Sequence, residues 1–257
     1  MAQARAQARA QIIHGLQAAA GEVMTACESY YVTRTTFGYF AEGQKKGVPS
    51  ELGLTDIFMS SLALALGNLQ NPQNRTLTDM HYCGDEANLG YDFMLEFTEH
   101  DIVHRCYLQA KCVQSTGGIN PARYAKFLSR ASNGQGERQW KLIRNYVTTE
   151  FTVGDYNIEK CKIMGGYASL SHHTRTAYIL FSREAVWFVP IGFFIKMSES
   201  ADAAKSGLFN DVTNPGEDAG LTTIFNEFAN DATLRYDSPE VLLTDDWSML
   251  EYAQRTL

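Results

Sequence analysis

Apolar and polar positions along this chain fall into helix-like and strand-like stretches with polar breaks between them. The pattern predicts a first helix over Ala4–Tyr31 and a second over Thr55–Asn68. In the second, Thr55 or Asp56 can cap the N-terminus, and Ile57, Leu62, Leu64 and Leu66 supply an apolar body. Asn71–Thr78, which contains Pro72, reads as a polar loop. Tyr91–Phe97 is apolar and aromatic, interrupted only by Asp92 and Glu96, while His104–Val113 alternates through Cys106, Leu108, Ala110 and Cys112. With the polar link Thr98–Asp101 between them, these two runs predict an antiparallel hairpin. Thr116–Asn120, with Gly117 and Gly118, ends the second strand.

Two helices are expected next, Pro121–Ala131, with proline at the favoured first position, and Glu137–Val147, separated by the loop Ser132–Gly136. Strands follow at Thr176–Ser182 and Ala185–Pro190, and beyond Met197 the chain turns loop-rich, with a helix near Leu221–Asn230. There is no internal repeat. This order fits the α/β class, a mixed β-sheet flanked by helices.

Composition narrows the setting. The 257 residues, 45% hydrophobic and 20% charged, are enough for one large globular domain or two small ones. No run approaches the roughly 18 apolar residues of a membrane span. Met1–Gln11 is rich in Ala, Gln and Arg without an apolar centre, so it does not read as a secretory signal. Five cysteines, an odd number with no CxxC spacing, argue against a disulfide framework and a zinc knuckle. Buried thiols in a reducing, cytoplasmic compartment are the expectation.

A net charge of −7 speaks against nucleic acid until its distribution is considered. Ser198–Leu257 holds 12 acidic and 3 basic residues, a balance of −9, which leaves +2 on the rest. Pro121–Asn145 carries six basic residues (Arg123, Lys126, Arg130, Arg138, Lys141, Arg144) against Glu137 alone. A basic stretch is a source of phosphate contacts, and the acidic region is a candidate shield for it.

The chemistry centres on the hairpin. Asp92 breaks an apolar strand directly after Gly90-Tyr91, and Gln109-Ala110-Lys111 stands on the partner strand. Residues two apart on a strand face one side, so Gln109 and Lys111 point together and the hairpin brings them opposite Asp92. A carboxylate, an amide oxygen and an ammonium then converge. That is the set needed to hold a hard divalent cation and to stabilise charge developing on a phosphoryl group. Glu86 and Glu51 are further carboxylates within reach.

Gly90-x-Asp92 followed by Gln109-Ala110-Lys111 resembles the PD-(D/E)xK, or restriction-endonuclease-like, nuclease superfamily, in particular the Mrr-like branches that carry Gln in place of the acid of ExK. The series Glu51-Leu52-Gly53-Leu54-Thr55-Asp56, Asp85-Glu86, Gly90-Tyr91-Asp92, Gln109-Ala110-Lys111 is also similar to an uncharacterised bacterial family assigned to that superfamily. Gln139-Trp140-Lys141-Leu142 and Tyr178-Ile179-Leu180-Phe181 match it in outline, so the resemblance covers about Glu51–Phe181.

The resemblance implies a nuclease-like core, set at residues 51–197; outside it, the helical pattern and the acidic composition mark a helical extension over 1–50 and an acidic C-terminal subdomain over 198–257. It implies Mg²⁺ or Mn²⁺ held by Asp92 and the Gln109 amide oxygen, with the Ala110 carbonyl nearby, and Lys111 as the catalytic lysine. Glu51 and Glu86 compete for the remaining carboxylate role. The implied activity is endonucleolytic hydrolysis of DNA, with RNA as a further substrate class, in a prokaryotic or phage restriction or defence system. Arg123, Lys126, Arg130, Arg138 and Lys141 would touch the nucleic acid, and a homo-oligomer or a controlling protein partner is implied too.

Two departures stand out: Gln109 is neutral, and Tyr91 occupies a place where a small residue is usual. The neutral Gln109 sustains a rival reading, a non-catalytic interaction protein that keeps the nuclease fold. Other candidates are weaker. His172-His173 lacks carboxylate or cysteine partners at zinc spacing and reads as a loop pair. Asn133-Gly134-Gln135-Gly136 is a turn rather than a phosphate cradle, and no serine sits in a GxSxG elbow.

Overall fold

In Phe93–Glu99 and Ile102–Cys112 alternate side chains are mostly apolar, and that alternation fixes which face of the hairpin meets the helices. The computed structural model describes residues 2–37, 49–67, 76–99, 102–112, 136, 139–143, 146, 171–190 and 239–243. The elements are α1 (Ala2–Phe37), α2 (Glu51–Gly67), β1 (Leu77–Tyr82), α3 (Glu86–Leu89), β2 (Phe93–Glu99), β3 (Ile102–Cys112), β4 (Ser171–Phe181) and β5 (Val186–Pro190), followed by a 3-10 turn at Pro239–Leu243. The strands form one sheet in the order β1-β2-β3-β4-β5. All neighbours are antiparallel except β3 and β4, which are parallel. This is the mixed sheet with helices expected of an α/β chain.

Phe93, Leu95 and Phe97 of β2 and Cys106, Leu108 and Ala110 of β3 are fully buried against one core. Helix α2 enters it through Leu54, Phe58, Leu62 and Leu66, and α1 through Ile12, Leu16, Ala19, Val23 and Cys27. Phe58 sits at the centre, with ring centroids 6.1, 5.9 and 6.4 Å from Phe93, Phe181 and Phe188. Leu242 and Leu243 of the 3-10 turn join the same cluster. At the far end of the hairpin the buried Glu99 meets His104 Nε2 at 2.7 Å. Arg9 reaches both Glu99 and the Leu243 carbonyl, the latter at 3.1 Å. One core therefore takes residues from all three sequence segments.

Several element boundaries differ from the sequence reading. Helix α2 begins at Glu51, not Thr55: Ser50 Oγ accepts from the Gly53 N–H at 3.1 Å, and the Thr55 hydroxyl bonds back to the Glu51 carbonyl inside the helix. Leu64, expected in its apolar body, is exposed. The expected Asn71–Thr78 loop gives way at Leu77 to β1, an edge strand whose mostly polar, half-exposed residues hid it. His172 and His173 lie in β4, paired with Val103 and His104, rather than in a loop. Residues 139–143 are helical, within the expected Glu137–Val147. The expected Pro121–Ala131 and Leu221–Asn230 helices lie outside the described residues. Among the described residues Cys27, Cys83, Cys106 and Cys112 form no disulfide, and Cys161 lies outside them. Among the described residues no helix is long and apolar enough to cross a membrane.

Candidate functional site

The turn that delivers Asp92 needs glycine. Gly90 has φ +78°, and its N–H closes α3 on the Glu86 carbonyl at 2.7 Å. A side chain there would strain the left-handed backbone and meet the Gln139 carbonyl oxygen at 2.6 Å and Leu142 Cβ at 2.8 Å. Beyond the turn, the Asp92 N–H donates to the Leu108 carbonyl at 2.8 Å, and the Asp92 carbonyl accepts from Cys83 N–H at 2.7 Å. Asp92 is thus clamped between the end of β1 and β3. The register that pairs Phe93 with Leu108 sets it opposite Gln109, as the sequence predicted.

Asp92 Oδ2 accepts two short hydrogen bonds, from the Ala110 N–H and from Gln109 Nε2, each at 2.5 Å. Gln109 is completely buried, and its Nε2 also lies 3.4 Å from Glu86 Oε1 and 3.4 Å from the Ala110 carbonyl oxygen. Glu86 Oε1 accepts a further bond from Gln139 Nε2 at 3.3 Å. Beside this group, Lys111 Nζ pairs with Glu51 Oε1 at 3.1 Å, while Glu51 Oε2 accepts from the Cys112 N–H at 3.2 Å. The two competing glutamates therefore have separate places, Glu86 with Asp92 and Glu51 with Lys111. Glu51 gets there because α2 starts one turn earlier than the sequence suggested.

Burial pushes the Asp92 carboxyl up to about 7, and the neighbouring Glu86 and Glu51 add to the rise. The Lys111 ammonium and the Ala110 N–H pull the other way without cancelling it. A carboxyl held that high is one on which a proton and a cation compete near neutral pH.

The donors are all oxygens: the carboxylates of Asp92 and Glu86, the Ala110 carbonyl and the Gln109 amide. That set suits a hard cation such as Mg²⁺ or Mn²⁺. Among the described residues no group of three or more His, Cys, Asp or Glu is placed to hold a metal. A third oxygen would have to come from Gln109 or Ala110. Among the described residues Gln109 Oε1 is buried and accepts no hydrogen bond, so it is a ligand oxygen in want of a partner.

Of the expected nucleic-acid contacts, Lys141 is exposed, with Nζ 5.7 Å from the Trp140 ring centre. Arg123, Lys126, Arg130 and Arg138 lie outside the described residues. Tyr91 is buried, packed edge-on against Tyr107 at 4.9 Å and stacked on Tyr146 at 5.5 Å. The large residue beside Asp92 is thereby taken up by aromatic packing. Gln139, whose Nε2 donates to Glu86 Oε1, received no role from the sequence. Its position at the start of a helical run was noticeable, but its contact with Glu86 depends on packing against Gly90.

Neither protein-family models nor curated protein sequences give a match to this chain.

Proposed function

We propose that this chain is a restriction-endonuclease-like, metal-dependent nuclease that hydrolyses phosphodiester bonds of DNA. The observation that carries the reading is the convergence of Asp92, Glu86 and Gln109 beside the Lys111–Glu51 pair at one end of β3. Asp92, Glu86, Gln109 and the Ala110 carbonyl would hold Mg²⁺ or Mn²⁺, which when bound supplies Lewis acidity to the phosphoryl group and lowers the pKa of water.

The protein groups have distinct tasks. Lys111, largely shielded from solvent, presents its ammonium from a position fixed by Glu51, where it orients water and stabilises charge developing on phosphoryl oxygens. Asp92 must give up its proton before it can act as a ligand. Lys141, with Arg123, Lys126, Arg130 and Arg138, supplies sequence-independent phosphate contacts. Double-strand cutting would favour a homo-oligomer, and a partner-controlled role in prokaryotic or phage restriction or defence is consistent with this chemistry.

The test is plasmid cleavage with Mg²⁺ or Mn²⁺, with EDTA and Lys111→Ala as controls. Metal-dependent cutting lost in the variant is the expected result. Well-folded protein that cuts neither DNA nor RNA would count against catalysis.

A second reading, a non-catalytic interaction protein with this fold, is favoured by the neutral Gln109, whose amide N–H groups face the carboxylates. Mn²⁺ binding that disappears in Asp92→Ala separates the two, since only the nuclease requires it.

A further inference from the structure

Three oxygen atoms converge on one nitrogen in this site. Asp92 Oδ2 lies 2.5 Å from Gln109 Nε2, and Glu86 Oε1 and the Ala110 carbonyl oxygen each lie 3.4 Å from it. Oxygens brought so close repel one another unless something positive lies among them. Here the positive element is an amide NH₂. The arrangement has a cost on the other side of the same group: Gln109 Oε1 is buried without a hydrogen-bond partner among the described residues, a condition that folded proteins largely avoid. Gln139 repeats the pattern at the edge of the site, with its NH₂ on Glu86 Oε1 and its own Oε1 buried without a partner. Two amides thus direct their donors at the carboxylates and leave their acceptors unused.

We propose that the Gln109 amide is the site's built-in stand-in for the divalent cation. It caps Asp92, Glu86 and the Ala110 carbonyl with N–H groups in the ion-free chain, and turns about its terminal torsion to present Oε1 when the cation arrives. The inference rests on the metal-dependent reading above. The terminal torsion of glutamine is soft and roughly two-fold, so the exchange of nitrogen for oxygen needs no backbone movement. A glutamate at this position would bind the cation more strongly, but the ion-free site would then hold three carboxylates without the amide N–H groups that now lie between Asp92 and Glu86. Glutamine gives up affinity for an ion-free state that is already folded and neutralised. Binding must displace internal hydrogen bonds, so occupancy responds to the cation's concentration instead of being permanent.

Thermal unfolding and Mn²⁺ titration at pH 8 test this, with wild type, Gln109→Glu and the charge-balanced double variant Gln109→Glu with Glu86→Gln. Expected in EDTA is a lower melting temperature for Gln109→Glu, with most of the loss recovered in the double variant, which restores one amide among two carboxylates. Expected with Mn²⁺ is a larger thermal gain for Gln109→Glu than for wild type, and binding tighter by about tenfold, because affinity follows ligand charge. If Gln109→Glu does not fold in EDTA, folding in Mn²⁺ together with an ion-free, folded double variant supports the stand-in, and a double variant that also fails to fold overturns it. Wild type that binds Mn²⁺, with Gln109→Glu equal to it in both conditions, overturns the stand-in and leaves the metal site intact. Mn²⁺ binding by Gln109→Glu alone supports the capping role and overturns the native metal site. No binding by either overturns both.

Discussion

The raised carboxyl of Asp92 makes the stability of the ion-free protein depend on pH in a direction opposite to that of carboxylates held ionised by ion pairs or hydrogen bonds. In the unfolded chain Asp92 loses its proton near the usual 3.8, and in the folded chain only near about 7. Between those values folding retains a proton that unfolding releases, so stability present at low pH is lost as pH rises through the folded value. At about 1.4 kcal/mol per pH unit the full effect is about 4 kcal/mol. Asp92 is only half-buried, and access of solvent reduces the expected effect to roughly 2–3 kcal/mol.

Asp92→Asn removes this titration while keeping an oxygen that can accept from the Ala110 N–H. Any constant offset between the two proteins is therefore irrelevant, and only the change in their difference with pH matters. Urea unfolding in EDTA at pH 4.5, 6 and 8 should show the wild type losing about that amount relative to Asp92→Asn as pH increases. With Mn²⁺ present the loss should disappear, the cation taking the place of the proton. Parallel stability profiles for the two proteins in EDTA would rule out a raised Asp92 carboxyl, because they would mean that Asp92 ionises at no cost to the fold.

Other perturbations test the packing around the site. Gly90→Ala should destabilise by more than about 2 kcal/mol, since left-handed strain and contact with the Gln139 carbonyl add, whereas Gly84→Ala, whose added carbon meets nothing within 4 Å, should shift thermal unfolding little. Phe58→Ala, at the centre of the aromatic core, should cost about 3–5 kcal/mol in chemical denaturation. Truncation before Pro239 should lower the melting temperature markedly, because it removes two buried leucines and the carbonyl held by Arg9. An assay of the acidic region as a shield therefore has to retain Pro239–Leu243, and deletion from Ser198 onward would confound release with unfolding.

The hairpin and its polar residues were legible because they obey local rules. Asp92 interrupts an apolar strand, Gln109 and Lys111 share a strand face, and a short antiparallel link sets their register. What was illegible depends on contacts distant in sequence. Strand β1, whose Leu77 and Thr78 fall in the expected Asn71–Thr78 loop, escapes the sequence reading because it is an edge strand with no buried position, stabilised by pairing with β2. Thr55 looks like a cap, yet Ser50 caps the helix and Thr55 bonds within it, and the added turn is what carries Glu51 to Lys111. Gln139 opens a helical run, but nothing local links it to Glu86. Its role follows from Gly90, whose missing side chain allows the helical residues 139–143 to come close to α3.

The single parallel pair in the sheet has a consequence for the order in which the molecule assembles. Glu86, Asp92, Gln109 and Lys111 lie in the short stretch formed by α3 and the β2–β3 hairpin, whereas β4, aligned along the whole length of β3, begins at Ser171 after a long intervening chain. Closing that larger loop carries the greater entropic cost, and contacts of high sequence separation slow folding. The chemical groups can therefore be gathered by a fast local event, while the wall that buries the other side of β3 arrives in a slow, long-range one. Substitutions at the β2–β3 pairing should alter the folding rate, and substitutions on β5 should alter chiefly the rate of unfolding, a division that φ-value measurement can detect.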